Sequence, residues 1–286
     1  MPNPVLARWS SAALCSAALW AGAALAQQKR PLAIVNAALL EAEDGFAIRS
    51  DKVYMPGESV YLAFQIQGYM VDRNSHVKLS YNINALDFKG IPFVEPEQGN
   101  IDTEVSPQDA KWLPRIRFSA AVPPFADSGN YKLALHVTDE LAKTETSQEL
   151  QFSLRGRNVP PSSTLVVHNF AFSRKEDGEP LPVAAYRRGD TLWTSFDITG
   201  YAGGEKNSLW VEYGLAVINP QDQKVFEQPQ AAEEKGTSFY PRRYVHAGFT
   251  LNLEGGLPAG PYTIHLTVRD RIGGQAHESR HNFTVE

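Results

Sequence analysis

Cysteine is almost absent from this chain: among its 286 residues only Cys15 is a cysteine. It lies in the apolar stretch SAALCSAALWAGAA, which follows Arg8 and precedes Ala24-Leu25-Ala26, small residues of the kind that a signal peptidase reads. This pattern predicts a secretory signal peptide over residues 1–26. Leu14 before the cysteine argues against a lipid-attachment signal, which has a small residue there. We therefore expect a mature chain without cysteine, which must be stable on its hydrophobic core alone.

Long apolar runs and an excess of positive charge are also missing. The apolar part of the signal peptide is shorter than the roughly 20 apolar residues that cross a bilayer, and no later segment is apolar enough to do so. We expect no membrane insertion after signal cleavage, and a periplasmic or secreted location. The formal net charge is -5 at pH 7. This argues against nucleic acid as a partner, because nucleic-acid binders present a basic face to the phosphates.

What the chain does contain is a long internal repeat. GESVYLAFQIQGY at residues 57–69 resembles GDTLWTSFDITGY at 189–201, an offset of 132 (201 − 69). GNYKLALHVTD at 129–139 matches GPYTIHLTVRD at 260–270, an offset of 131 (260 − 129), and EDG at 43–45 recurs at 176–178, an offset of 133 (176 − 43). The mature chain is therefore predicted to be two copies of one module. We place the copies at residues 27–155 and 164–286, joined by a short proline-containing linker over 156–163.

Apolar and polar residues alternate within the repeated segments, which predicts strands with one buried face. The predicted buried face carries Val60, Leu62, Phe64 and Ile66 in the first copy and Leu192, Phe196 and Ile198 in the second. Glycine, proline, asparagine and aspartate separate the segments, and no stretch of the mature chain sustains a helical period over three turns. The sequence therefore predicts an all-β fold of two consecutive antiparallel β-sandwiches.

One segment in each copy resembles a signature of immunoglobulin domains. Asp127-Ser128-Gly129-Asn130-Tyr131, followed by Leu133, is similar to D-x-G-x-Y-x-C, in which the tyrosine hydroxyl caps the backbone at a corner between strands. The second copy keeps Gly260 and Tyr262 but lacks the aspartate, and both copies have an aliphatic residue in place of the cysteine. The resemblance implies tandem immunoglobulin-like or fibronectin-type sandwiches with structural tyrosine corners at Tyr131 and Tyr262. It implies an architecture and no particular activity.

Patterns typical of catalysis or metal binding are weak. The segment 277–281, HESRH, matches the H-E-x-x-H pattern of zinc peptidases, which requires a helix to bring both histidines to one ion. The repeat aligns it with a strand, on which the histidines would lie roughly 13 Å apart. The acidic run over 95–104 fits no calcium loop, and we interpret it as a solvated connection. With no G-x-S-x-G elbow and no thiol in the mature chain, we predict no catalytic residue, no metal and no cofactor.

The best candidate for a binding surface is FYPRRYVH at 239–246, whose counterpart in the first copy is DAKWLPRIRF at 109–118. Planar aromatic rings beside arginines can stack on sugars or anchor a protein partner. The residues predicted to bind are Trp112, Tyr240, Arg242, Arg243 and Tyr244. The alternative is that these residues cover the edge of a sandwich where a long loop enters a strand.

The leading hypothesis is a non-catalytic protein-interaction or assembly component of the cell envelope, since a rigid sandwich holds loops and sheet edges in place for binding. A carbohydrate-binding protein is the alternative, and it requires Trp112, Tyr240 and Tyr244 to share one exposed face. A pilus-type chaperone is less favoured, because its two domains are not evident copies of each other. An enzyme would need a cleft with converging polar groups.

Overall fold

The two copies of the repeat fold into the same set of strands. A computed structural model describes residues 30–286 apart from Ser50 and Ala110. The predicted signal peptide over 1–26 lies outside the described residues and stays a prediction. From Pro31 to Glu286 the chain forms one compact unit, and no helix in its described part is long and apolar enough to cross a membrane.

Eight strands make up the first sandwich: β1 Ala33–Leu40, β2 Val53–Tyr54, β3 Ser59–Gln67, β4 His76–Leu86, β5 Glu97–Glu104, β6 Arg115–Ala121, β7 Gly129–Asp139 and β8 Thr144–Leu154. Eight more make up the second: β9 Val166–Ser173, β10 Ala185–Tyr186, β11 Thr191–Thr199, β12 Leu209–Ile218, β13 Lys224–Gly236, β14 Val245–Asn252, β15 Gly260–Asp270 and β16 Ala276–Val285. Leu154 and Val166 flank the predicted linker over 156–163. Short 3-10 turns lie at Pro107–Asp109 and Glu205–Asn207.

Each sandwich consists of a three-stranded and a five-stranded sheet. In the first sandwich the sheets have the strand orders β1-β3-β6 and β2-β8-β7-β4-β5, and in the second β9-β11-β14 and β10-β16-β15-β12-β13. Pairing is antiparallel except for the short β2 and β10, which run parallel to β8 and β16. The predicted all-β fold is confirmed, and the layered antiparallel arrangement is consistent with the resemblance to immunoglobulin-like domains.

The core side chains are those that the alternation predicts. Val60, Leu62, Phe64 and Ile66 are each at most 1% exposed, and Leu192, Phe196 and Ile198 are 0% exposed. Their neighbours on the same strands, such as Tyr61 and Trp193, lie on the outer faces of the three-stranded sheets because successive residues of a strand point to opposite sides. The hydrophobic pattern therefore determines which face of each sheet is open to solvent.

Polar residues that recur in the repeat make the same hydrogen bonds in both copies. The Tyr131 hydroxyl donates to the carbonyl of Asp127 at 3.0 Å, and the Tyr262 hydroxyl donates to the carbonyl of Pro258 at 2.9 Å. Both are backbone contacts of the kind that the resemblance to a tyrosine corner implies. In each copy the tyrosine hydroxyl thus bonds to a carbonyl four residues earlier in the chain. This bond fixes the path by which the chain enters the central strand, β7 or β15.

A buried aspartate at the end of the same central strand ties two turns together in each copy. One oxygen of Asp139 accepts a hydrogen bond from the backbone N–H of Met70 at 2.6 Å, and the other accepts two from Leu141 and Ala142 at 2.9 Å. Asp270 makes the equivalent three bonds in the second copy, to Ala202, Ile272 and Gly273. Each carboxylate accepts hydrogen bonds from backbone N–H groups that have no strand partner and would otherwise need water. This requirement explains why the aspartate recurs in both copies.

The acidic run predicted as a solvated connection is a strand. Residues 97–104 form β5 at the edge of the five-stranded sheet and pair with β4, with Leu79 opposite Ile101. The corresponding QPQAAEEKG of the second copy lies in β13 at the same edge. Charged side chains suit an edge strand because they oppose pairing with another chain, and a charge-rich edge does not show the alternation on which the prediction relied.

The H-E-x-x-H segment lies in strand β16, as the repeat predicts. His281 does not face a metal site: its ring stacks on Phe170, with 3.4 Å between ring centroids and 8° between planes. Its Nε2 atom lies 2.8 Å from the Ser279 hydroxyl. Burial, and to a lesser extent the charge of His277, lower the pKa of His281 to about 4. The segment therefore contributes packing to the second sandwich.

Candidate functional site

The loop before β14 carries four of the five residues predicted to bind a partner, and it lies between the two sandwiches. Tyr240 is 6% exposed and Tyr244 is 3% exposed. Tyr240 packs within the hydrophobic core of the first sandwich, although it belongs to the second. The expectation that these rings lie on an open surface is therefore corrected: they are covered by the neighbouring module. We call this contact the intermodule joint; it comprises Asp87, Phe125, Asp127, Tyr240, Arg242, Arg243 and Tyr244.

A cation and two carboxylates lie at the centre of the intermodule joint. Arg243 donates from Nη2 to Asp87 at 2.7 Å and from Nη1 to Asp127 at 2.9 Å. The Tyr240 hydroxyl donates to the same Asp87 oxygen at 2.8 Å. The Asp87 side chain is fully buried, and its other oxygen accepts the backbone N–H groups of Lys89 and Ile91, each at 2.8 Å. A carboxylate removed from water needs such partners, so the joint is held by charge-assisted bonds that one geometry satisfies.

Aromatic contacts flank these charges. The ring of Tyr244 meets Phe125 edge to face, with 5.6 Å between centroids. The guanidinium of Arg242 lies 4.3 Å from the centroid of the same phenylalanine and bonds to Glu234 at 2.6 Å. Because Phe125 belongs to the first sandwich, Tyr244 contributes an edge-to-face aromatic contact to the joint and Arg242 a cation–π contact. The loop that the sequence suggested as a binding surface thus binds the other half of its own chain.

The linker is fastened to the second sandwich through a buried carboxylate. Arg157 donates to the Asp197 carboxylate at 3.0 Å. That carboxylate also accepts from the Asn169 amide at 2.8 Å and lies 2.8 Å from His246 Nδ1. Burial alone would raise the pKa of Asp197, but the hydrogen bonds from His246 and Asn169 and the charge of Arg157 together lower it. The ionised form is therefore favoured, and it holds the linker on the outer face of β11.

Trp112 lies at the other end of the first sandwich. Its backbone carbonyl accepts a hydrogen bond from the Tyr69 hydroxyl at 2.6 Å, and the two rings meet edge to face at 6.4 Å. Tyr69 precedes β4 and Asp87 follows it, and a strand of 11 residues spans about 35 Å. Trp112 and the intermodule joint are thus separated by the length of a strand. The aromatic platform that requires Trp112, Tyr240 and Tyr244 on one face is not present.

The structure reveals an open groove that the sequence analysis did not single out. It lies on the outer face of the β9-β11-β14 sheet and has a volume of about 400 Å³. We call it the Trp193 groove; the residues that line it include Glu176, Asp177, Trp193, Ser195, His246, Gly248 and Thr250. Trp193 is on the central strand, and Gly248 and Thr250 are on the edge strand. The sequence signal for this groove is the alignment of the two repeats, in which Gly248 takes the position of a large charged residue.

No protein-family model and no curated protein sequence matches this chain. Solved structures similar to it include the C-terminal domain of the AgI/II polypeptide BspA of Streptococcus agalactiae, at 12% identity and a TM-score of 0.30, covering 87% of this chain and 99% of that one. Another is the C-terminal domain of the antigen I/II-family protein AspA of Streptococcus pyogenes, at 10% identity and a TM-score of 0.31, covering 90% and 99%.

A third similar structure covers less of either chain. It is the alkylpurine DNA glycosylase AlkC of Pseudomonas fluorescens bound to abasic-site DNA, at 12% identity and a TM-score of 0.28, covering 43% of this chain and 30% of that one. TM-scores and identities this low carry no argument about what the present chain binds or does.

Proposed function

We propose that this chain is an exported, non-catalytic interaction or assembly protein of the cell envelope, whose two sandwiches act as one binding unit. The observation that supports the proposal is the intermodule joint, in which Arg243 bridges Asp87 and Asp127. A flexible spacer between modules gains nothing from a buried, charge-paired contact. A binding protein does gain from it, because pre-organised surfaces lose less entropy when a partner docks.

Partner binding belongs to surfaces that the joint leaves open. The Trp193 groove is the best of these, because it combines an aromatic ring with carboxylates and hydroxyls on a rigid sheet face. Aromatic side chains bury a large area with few rotatable bonds, which makes them effective anchors at interfaces. The groove replaces the loop at 239–244 as the predicted contact with a protein partner.

A carbohydrate-binding protein is the second candidate, and Trp193 is the observation that favours it. An indole ring on a sheet face with neighbouring hydroxyl and carboxylate groups offers both a stacking surface and hydrogen-bond partners for a sugar. The two candidates differ in what they require of the envelope: the first needs a recurring protein partner, and the second needs a polysaccharide.

Site-specific photo-crosslinking in the native envelope tests the proposal. A photoreactive residue at Thr250 reports on the groove, and one at Ser119, which occupies the equivalent position beside Tyr61 in the first sandwich, is the matched control. We expect one protein to be captured repeatedly from position 250 and not from position 119. Purification of that partner protein should in turn recover this chain. Capture of no protein from any outer-face position, together with retention of labelled envelope polysaccharide, would favour the carbohydrate-binding candidate instead.

A further inference from the structure

The two copies of the repeat differ sharply at one outer-face position. In the first sandwich Ala63 on β3 pairs with Arg117 on β6, and in the second the equivalent Ser195 on β11 pairs with Gly248 on β14. Arg117 and Gly248 therefore occupy the same place in the two sheets. One copy has the longest cationic side chain there, and the other has no side chain.

The arginine of the first copy lies across its own sheet. Its Nη2 atom donates to Asp44 at 2.6 Å, where Asp44 belongs to the EDG turn after β1. The same turn recurs in the second copy as Glu176-Asp177-Gly178, and there it forms the rim of the Trp193 groove. Both acidic side chains of that turn are exposed, and no ion pair involving either is formed within the described part of the chain. The second copy thus keeps the acceptor and lacks the cation.

The strand itself cannot supply the missing side chain. A Cβ atom at position 248 would clash with the carbonyl oxygen of Thr194, which is backbone and has little room to shift. Pairing of β11 with β14 therefore requires glycine here, and the groove stays open. Arg174 and Lys175 precede the turn, but Arg174 pairs with Asp190. A cation that crosses the sheet face to Asp177, as Arg117 crosses to Asp44, therefore has to come from a partner.

We propose that the Trp193 groove receives an arginine side chain of a partner protein, in the place that Arg117 occupies in the first sandwich. Its guanidinium pairs with Asp177 and lies against the ring of Trp193. This inference rests on the proposed function, since it names the chemistry of the protein partner. Arginine fits better than lysine because its planar fork can bond to a carboxylate and stack on an aromatic ring at the same time.

Charge and shape support this occupant. The groove is lined on one side by the carboxylates of the EDG turn, and its volume of about 400 Å³ lies in the range of pockets that hold small groups. The chain as a whole carries a net charge of -5, so a basic segment is attracted to it rather than repelled. The first sandwich shows that an arginine can cross this sheet face and reach the turn.

Binding of a short peptide tests the inference. The probe is acetyl-Gly-Arg-Gly-amide, titrated into the mature protein at pH 7.5 and followed by NMR at the Gly248 amide and the Trp193 indole N–H. We expect both signals to shift with an affinity on the order of millimolar, as suits one exposed ion pair and one stacked ring. The control peptide has citrulline in place of arginine, which keeps the shape and removes the charge. Equal shifts with the citrulline peptide, or none with arginine, would overturn the proposal.

Two variants complete the test. Asp177→Asn should abolish the shifts, and asparagine tolerates the positive φ of 48° at this position, so the turn is preserved. Arg117→Ala should create a second binding site, seen as new shifts around Tyr61. Absence of that second site would refute the equivalence of the two grooves on which the inference rests. Both variants are at exposed positions, and their midpoint temperatures of thermal unfolding should match that of the wild type.

The outcome is separable from that of the proposed function. A partner crosslinked from position 250 whose capture is unaffected by Asp177→Asn would overturn the arginine inference and leave the proposed function standing. An oligosaccharide that shifts the Trp193 indole in wild type and in Asp177→Asn alike would instead contradict both, because it would identify the groove as a sugar site.

Discussion

Tyr240 of the second sandwich donates a 2.8 Å hydrogen bond to Asp87 of the first, and both side chains are buried. The two residues are 153 positions apart in the chain. This bond, together with the ion pairs of Arg243, makes the interior of one module depend on a loop of the other. The stability of the modules is therefore coupled, and that coupling can be measured.

Replacement of Arg243 by alanine should uncouple the sandwiches. Removal of the cation leaves the carboxylates of Asp87 and Asp127 without their main partner, and breaking a buried pair in this way costs about 3 kcal/mol. Scanning calorimetry should show a lower first transition and two separate unfolding events. Arg188→Ala, at an exposed position, is the control and should change little. A transition temperature equal to that of the control would contradict a stabilising role for the joint.

Two substitutions at Tyr240 should separate its ring from its hydroxyl. Tyr240→Phe removes one hydrogen bond to a charged acceptor, at a cost of about 1.5 kcal/mol. Tyr240→Ala also empties a position in the first sandwich's core, where loss of an aromatic ring costs about 3 to 5 kcal/mol. Urea unfolding monitored by a probe in the first sandwich measures both. Equal free energies for the two variants would mean that the ring contributes nothing to the first module's core.

The paired aspartates predict matching defects in the two copies. Asp139→Ala and Asp270→Ala each leave three backbone N–H groups without an acceptor in a buried setting. We expect each to lower the free energy of unfolding by about 3 kcal/mol. Amide hydrogen exchange should show the loss of protection at Met70 in the first variant and at Ala202 in the second. Undiminished protection at these amides would show that other groups hold the turns.

Acid should weaken the second sandwich through His281. Burial lowers the pKa of this histidine to about 4, against 6.5 for a free side chain, so the unfolded chain binds a proton that the folded chain does not between these pH values. The free energy of unfolding should therefore fall as the pH drops from about 6.5 to 4 and change no further on this account below 4. The ring is half-buried, so solvent screening limits the loss to about 1.5 kcal/mol.

The variant His281→Phe keeps the stacked ring and removes the titrating group, so the slope in this pH range should flatten. Thr284→Ser, at an exposed position of the same strand β16, changes no titrating group and serves as the control that should keep the wild-type slope. Denaturant unfolding at a series of pH values gives both curves. A wild-type slope in His281→Phe would assign the pH dependence to other groups.

Much of the architecture follows from patterns that are local in the chain. Alternation along 59–67 and 191–199 specifies which side chains face the core, since a strand has a period of two whatever it packs against. The repeat then predicts that the second half of the chain folds like the first. It also pairs Tyr131 with Tyr262, whose hydroxyls bond to carbonyls four residues away. The edge strand β5 escaped prediction because charged residues hide its alternation.

The positions of Tyr240, Arg243 and Tyr244 were decided only by tertiary structure. A binding surface and a joint between modules can have the same composition of aromatic and arginine residues. What distinguishes the two is the partner, and here the partners of Arg243 lie 116 and 156 residues away.

The sequence by itself determined two β-sandwiches with defined core faces, because periodicity and short-range hydrogen bonds act between near neighbours in the chain. Tertiary structure alone decided that the aromatic loop at 239–244 is buried and that the face around Trp193 is open. Burial depends on which distant strands and loops come together, and that is a property of packing between elements rather than of any one segment.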